Sequence, residues 1–157
     1  MTVKRAKSVA AFTLVEVMVA ILILSVAVIG ASAYRYHAAL DARKASVRIT
    51  AARMGVMLCE SWRGVSGVET FDPTAYFGTD IAITDGEGPA VPDGFTALGS
   101  YEIVSNGVNY YATLSWQDVG TGLRALNVAV AWPLRDQGAS SLADTDRVFE
   151  LTTYVSN

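Results

Sequence analysis

Four kinds of residue in this chain could do chemistry: one histidine, one cysteine, clusters of carboxylates, and a lone glutamate inside an apolar run. A Cys–His nucleophile pair needs both side chains within hydrogen-bond reach. His37 and Cys59 fall on one continuous helical pattern, and their spacing at the standard helical rise holds them about 33 Å apart. His37 therefore reads as an interfacial polar residue and Cys59 as a small buried apolar group. With a single Cys, no internal disulfide framework is available. Asp80, Asp85, Glu87 and Asp93 lie in a Gly-rich stretch. Such oxygens suit calcium, but their spacing fits no EF-hand loop. A second cluster, Asp136, Asp144 and Asp146, is equally unpatterned. Both read as solvated loop acids. No phosphate loop, zinc spacing or paired-carboxylate motif is present, so no enzyme activity, metal or cofactor is expected.

The glutamate is the sharper signal. Phe12 to Ala33, FTLVEVMVAILILSVAVIGASA, is 22 residues long and its only charge is Glu16. About 20 apolar residues in a helix cross the hydrocarbon core of a bilayer. A carboxylate there costs a few kcal/mol and marks a functional site with a partner. Lys4, Arg5 and Lys7 precede the run, followed by small residues up to Ala11. A secretory signal peptide carries its small-residue cleavage site after the apolar run. Here the junction comes first, so cleavage would leave the apolar helix on the mature chain.

The segment AFTLVEVMVA resembles the processing signal of the type IV pilin and pseudopilin superfamily. The resemblance implies a short basic leader, residues 1–11, cut by a prepilin peptidase between Ala11 and Phe12. It also implies N-methylation of Phe12 and a glutamate as fifth mature residue, the place Glu16 would take. Ala11 stands where the family usually has Gly. In that family the glutamate attracts the free amine of a neighbouring subunit's first residue, which sets the axial register of packed helices. The implied partners are other pilins or pseudopilins, the peptidase and an inner-membrane assembly platform. The implied location is the bacterial inner membrane, with the C-terminal region periplasmic and the subunit able to enter a pilus or pseudopilus.

Stepping outward from Glu16, the rest of the chain has room for one small domain. Without the leader, nine basic and fifteen acidic side chains remain, which leaves no basic footprint for nucleic acid. Five basic residues, Arg35, Arg43, Lys44, Arg48 and Arg53, follow the apolar run within twenty positions, against three before it. Counting Lys and Arg alone favours the opposite topology; the resemblance places the leader inside.

Past Ala33, residues 34–63 turn amphipathic. Tyr36, Leu40, Val47, Ala51, Met54, Leu58 and Trp62 share one helix face, with Gly64 as a stop. Residues 64–100 are broken by Gly and Pro and read as a variable loop, with one short strand at Ile81–Thr84. Residues 101–157 read as a sheet. Tyr101–Ser105 and Val108–Trp116 flank Asn106-Gly107, a strong hairpin signal. Leu123–Trp132 and Arg147–Val155 follow, with Pro133 to Thr145 between them as a polar loop. One apolar sheet face needs a cover, and the stripe from Tyr36 to Trp62 can supply it. The expected fold is therefore α+β: a long N-terminal helix packed on an antiparallel sheet of about four strands.

The strands LNVAVAW and RVFELTTYV resemble the C-terminal strands of some minor pilins and secretion pseudopilins. Small size, no Cys pair and no mid-helix Pro point to a minor subunit of a type IV pilus or type II secretion filament. A membrane-anchored periplasmic binding module that does not assemble is the alternative.

Overall fold

The computed structural model describes residues 13–133, 142 and 145–156. Its elements are α1 (Leu14–Gly64), α2 (Pro73–Phe77), β1 (Ile83–Asp85), β2 (Thr96–Ser105), β3 (Val108–Gly120), β4 (Leu123–Pro133) and β5 (Thr145–Ser156). They form two compact units, one ending at Arg43 and one beginning at Lys44, and α1 contributes to both.

In the first unit α1 carries a stretch long and apolar enough to cross a membrane, with none of it buried. Leu14, Leu22, Leu24 and Ile29 are all well exposed. No proline interrupts the 51 residues of α1. The two serines of the apolar stretch turn their hydroxyls back onto the helix. Ser25 Oγ donates to the Ile21 carbonyl and Ser32 Oγ to that of Val28, each at 2.8 Å. Neither hydroxyl then needs water, as a lipid environment demands.

The second unit is a five-stranded antiparallel meander in the order β1-β2-β3-β4-β5, with the C-terminal part of α1 as its cover. Asn106 and Gly107 both take positive φ (51° and 75°). That is the type I′ turn this dipeptide favours, and it closes the Ser105–Val108 pair. The period-2 pattern places Tyr110, Ala112 and Leu114 of β3 and Leu126, Val128 and Val130 of β4 in one core with Ala51, Leu58 and Trp62 of α1. Each large apolar side chain buried there contributes about 1.5–3 kcal/mol.

Several elements differ from expectation. The covering stripe begins at Val47, because Tyr36 is 66% exposed. The sheet has five strands: the short strand lies at Ile83–Asp85, and β2 starts at Thr96, five residues before Tyr101. Pairing with β3 carries β2 across Gly99 and Ser100, which have weak strand propensity of their own. The Gly-rich stretch also holds α2. Its N-cap Asp72 accepts from the Thr74 N–H at 2.9 Å and Pro73 occupies the first turn.

α1 ends at Gly64, but the left-handed residues are Ser66 and Gly67. The Gly67 N–H reaches the Trp62 carbonyl at 3.0 Å. A Cβ at Gly67 would lie 2.8 Å from Val155 and 2.9 Å from Leu126, so both φ and space call for glycine there.

The second sheet face is also covered near its centre. Thr113, Ser115, Ala125, Asn127, Ala129 and Ala131 are all buried. Part of the cover is the segment after β1. Thr113 Oγ1 donates to the Pro89 carbonyl at 2.8 Å, and the Gly86 N–H donates to that of Ser100 at 3.0 Å. Gly88 lies against the Thr113 hydroxyl and the Ala112 carbonyl, with no room for a side chain. Asn127 is satisfied within the face: Nδ2 donates to Glu150 Oε1 (2.8 Å) and Thr152 Oγ1 (2.9 Å).

Candidate functional site

Glu16 occupies the first turn of α1 and is exposed. Thr13 sits ahead of it as the cap. The Glu16 N–H donates to Thr13 Oγ1 at 3.3 Å, and the Val17 N–H donates to the Thr13 carbonyl at 3.2 Å. Thr13-Leu14-Val15-Glu16 thus has the Ser/Thr-x-x-Glu spacing of a helix start. A carboxylate in the first turn also faces the positive end of the helix dipole. Its neighbours Leu14, Val15, Val17 and Met18 are exposed apolar side chains, so Glu16 is an acid set in an apolar surface. Such a surface can bury itself in lipid or against other apolar helices, and the carboxylate then calls for a cation. Ala11 and Phe12 lie outside the described residues.

The other residues singled out from the sequence do not converge. His37 is exposed on α1 and meets Tyr36 edge-on, with ring centroids 5.9 Å apart. Cys59 is fully buried in the core of the second unit. Burial pushes its thiol pKa up, Glu60 adds to the rise and Arg63 opposes it. A thiol held protonated is a poor nucleophile. Among the described residues, no three His, Cys, Asp or Glu side chains come together as a metal site. Asp80, Asp85, Glu87 and Asp93 are therefore not gathered. Asp136, Asp144 and the Asp146 side chain lie outside the described residues.

Two features escaped the sequence reading. The first is Arg124, 5% exposed, which ties the β3–β4 hairpin to the segment after α1. Its Nε donates to Asp118 Oδ1 (2.7 Å), Nη2 to Asp118 Oδ2 (3.2 Å) and Glu69 Oε1 (3.0 Å), and Nη1 to the Gly67 carbonyl (3.2 Å). The guanidinium also lies 4.0 Å from the Trp116 ring centroid. The hydrogen bond from Arg124 holds the Asp118 carboxyl below the usual aspartate range. Hairpin pairing was the available signal, since Asp118 and Arg124 are direct cross-strand partners.

The second is a cavity of about 380 Å³ between α1 and the β1–β2 end of the sheet. Met54, Met57, Ile81 and Val104 form its apolar wall, with Arg53 and Asp80 among its polar lining. It draws together residues from three distant stretches, which no local pattern announces.

Residues 6–32 match the family model described as the prokaryotic N-terminal methylation motif. That motif is the type IV pilin and pseudopilin signature, and this chain carries it across Glu16 and nearly all of the apolar stretch. No curated protein and no solved structure matches the chain. The motif and the exposed apolar helix together fit a pilin-like, membrane-anchored protein.

Proposed function

We propose that this chain is a minor pilin or pseudopilin, a structural subunit that assembles through α1 into a type IV pilus or type II secretion filament. One observation carries the proposal: the methylation motif at residues 6–32 coincides with an exposed apolar helix whose first turn holds a single acid, Glu16. In this reading a prepilin peptidase cuts between Ala11 and Phe12, and Phe12 becomes the methylated N-terminus. Glu16 then pairs with the Phe12 amine of a neighbouring subunit. Two opposite charges brought together in an apolar medium each offset the other's desolvation cost, and the pairing fixes the register of adjacent helices. The platform that extracts the subunit sits in the inner membrane, with residues beyond the apolar stretch on the periplasmic side.

Intact-mass measurement of the chain extracted from membranes tests the first step. The expected species begins at Phe12 and carries one added methyl group. A chain that keeps Met1 in cells with an active prepilin peptidase overturns the reading.

The cavity beside Met54 and Met57 favours one second reading, a membrane-anchored binding module that captures a ligand without assembling. Both readings keep the anchor, but only the first requires Glu16.

A further inference from the structure

Directly after the apolar stretch, α1 presents Tyr34, Arg35, Tyr36 and His37, then Asp41, Arg43 and Lys44. All are exposed, Tyr34 at 76% and Tyr36 at 66%. Tyrosine rings with a polar tip collect at the headgroup level of a bilayer. From Tyr34 to Leu40 the helix rises about 9 Å, close to the roughly 5–8 Å of polar layer on one side of a membrane. Arg35 lies inside that layer, where its stem can lie along apolar surface while the guanidinium stays polar. Side chains on an α-helix lean toward its N-terminus, and here that direction is toward the apolar stretch. Arg43 and Lys44 therefore cover the turn below their own Cα atoms, at the outer edge of the same layer.

The charge balance of the chain isolates this segment. Residues 34–63 carry six basic and two acidic side chains, whereas residues 64–157 carry three basic and twelve acidic ones. Past the apolar stretch, attraction to an anionic surface is thus concentrated in α1. The excess of Lys and Arg on this flank also runs against the usual charge rule for membrane topology, and the filament reading leaves it without a role.

We infer that Arg35, Arg43 and Lys44 form a collar that binds the phosphates of anionic phospholipids in the leaflet from which α1 emerges, with Tyr34 and Tyr36 seated among the headgroups. The inference rests on the reading of α1 as a membrane anchor. Arginine donates two parallel N–H groups to a phosphate and lysine supplies a point charge. A zwitterionic lipid offers the same phosphate already compensated by its own ammonium, so the collar prefers lipids with net negative charge.

The test uses the full chain reconstituted in phosphatidylcholine vesicles holding a trace of spin-labelled phosphatidylglycerol or spin-labelled phosphatidylcholine. The ratio of the two labels at the protein boundary is compared between variants. Lys4, Arg5 and Lys7 are present in every variant, so only differences count. Replacing Arg35→Gln, Arg43→Gln and Lys44→Gln together should lower the phosphatidylglycerol preference at least about fivefold, as should 0.5 M salt. Arg53→Gln, within the second unit, should leave it unchanged. Tryptophan emission from Trp62, Trp116 and Trp132, all in the second unit, checks that unit in each variant. An unchanged preference in the triple variant overturns the inference, as does an equal loss in Arg53→Gln. Extraction of the wild-type chain by alkaline carbonate would instead overturn the anchor reading, and the collar with it.

Discussion

Gly55 of α1 lies directly against the ring of Phe149 on β5. A Cβ added at Gly55 would lie 2.9 Å from Phe149 Cε1 and 3.5 Å from Val130 Cγ2. Glycine inside a helix costs about 1 kcal/mol relative to alanine, and here that cost permits close approach of helix to sheet.

Gly55→Leu should therefore lower the stability of the second unit by about 1–3 kcal/mol, as overpacking of a filled core does. Phe149→Ala should remove most of that penalty when combined with it, because the added side chain then occupies the space the ring leaves. Denaturant titration of the full chain in micelles, followed by tryptophan emission, measures both. Equal penalties with and without the Phe149 ring would show that the two residues do not share this space.

Period-2 and helical periodicity made this core legible. Leu114, Leu126, Val128 and Val130 announce their inward face by alternation, and Ala51, Leu58 and Trp62 by helical spacing. Asn106-Gly107 announced its own turn. What stayed hidden depends on distant partners. Thr96–Ser100 becomes strand because β3 extends past it, and Thr113 and Asn127 are buried polar residues only because Pro89 and Glu150 reach them. The apolar half of α1 was legible for the opposite reason. Phe12 to Ala33 carries its signal in composition alone, and Glu16 stands out as the one charge in it.

Leu126 is fully buried, whereas Tyr154 on β5 is 58% exposed. Leu126→Asp buries an unpaired charge and should cost several kcal/mol, comparable to the whole stability of a small domain. Tyr154→Asp should change stability by less than about 1 kcal/mol. Loss of cooperative unfolding in the first variant and its retention in the second is the expected pair of results.

Arg124→Met removes the donor to the Gly67 carbonyl and the partner of Asp118 and Glu69. Leaving a buried acceptor unsatisfied costs about 1–3 kcal/mol. The variant should also change the response to acid. The hydrogen bond from Arg124 depresses the folded-state pKa of Asp118. Its contribution is thus present above the ordinary aspartate value and fades as pH falls through the lower folded value. Wild type should lose stability over that acidic window, and Arg124→Met should lose less. Asp72, depressed by its own hydrogen bonds from Thr74, titrates alike in both proteins, so it drops out of the difference between the two pH profiles. Parallel profiles would remove the ion pair from the account.

Glu16→Ala bears most directly on the proposed function. The residue is an exposed member of the first turn of α1 in the first unit, whereas the hydrophobic core belongs to the second. Its loss should leave the emission and unfolding of Trp62, Trp116 and Trp132 unchanged. Membrane insertion should be preserved or improved, since a polar group leaves an apolar segment. Thr13 still caps the helix, so α1 keeps its start. What disappears under the filament proposal is the pairing with a neighbour's Phe12 amine. Crosslinking between α1 helices of adjacent subunits should fall, and with it the amount of this chain recovered in sheared filaments, at normal protein level and normal leader removal. Glu16→Gln should behave like Glu16→Ala, because a neutral amide keeps the shape but not the charge. A full effect from alanine but none from glutamine would point to hydrogen bonding in place of charge pairing. Undiminished crosslinking and recovery in both variants would sink the pairing and bring the anchored binding module, with its cavity at Met54 and Met57, to the front.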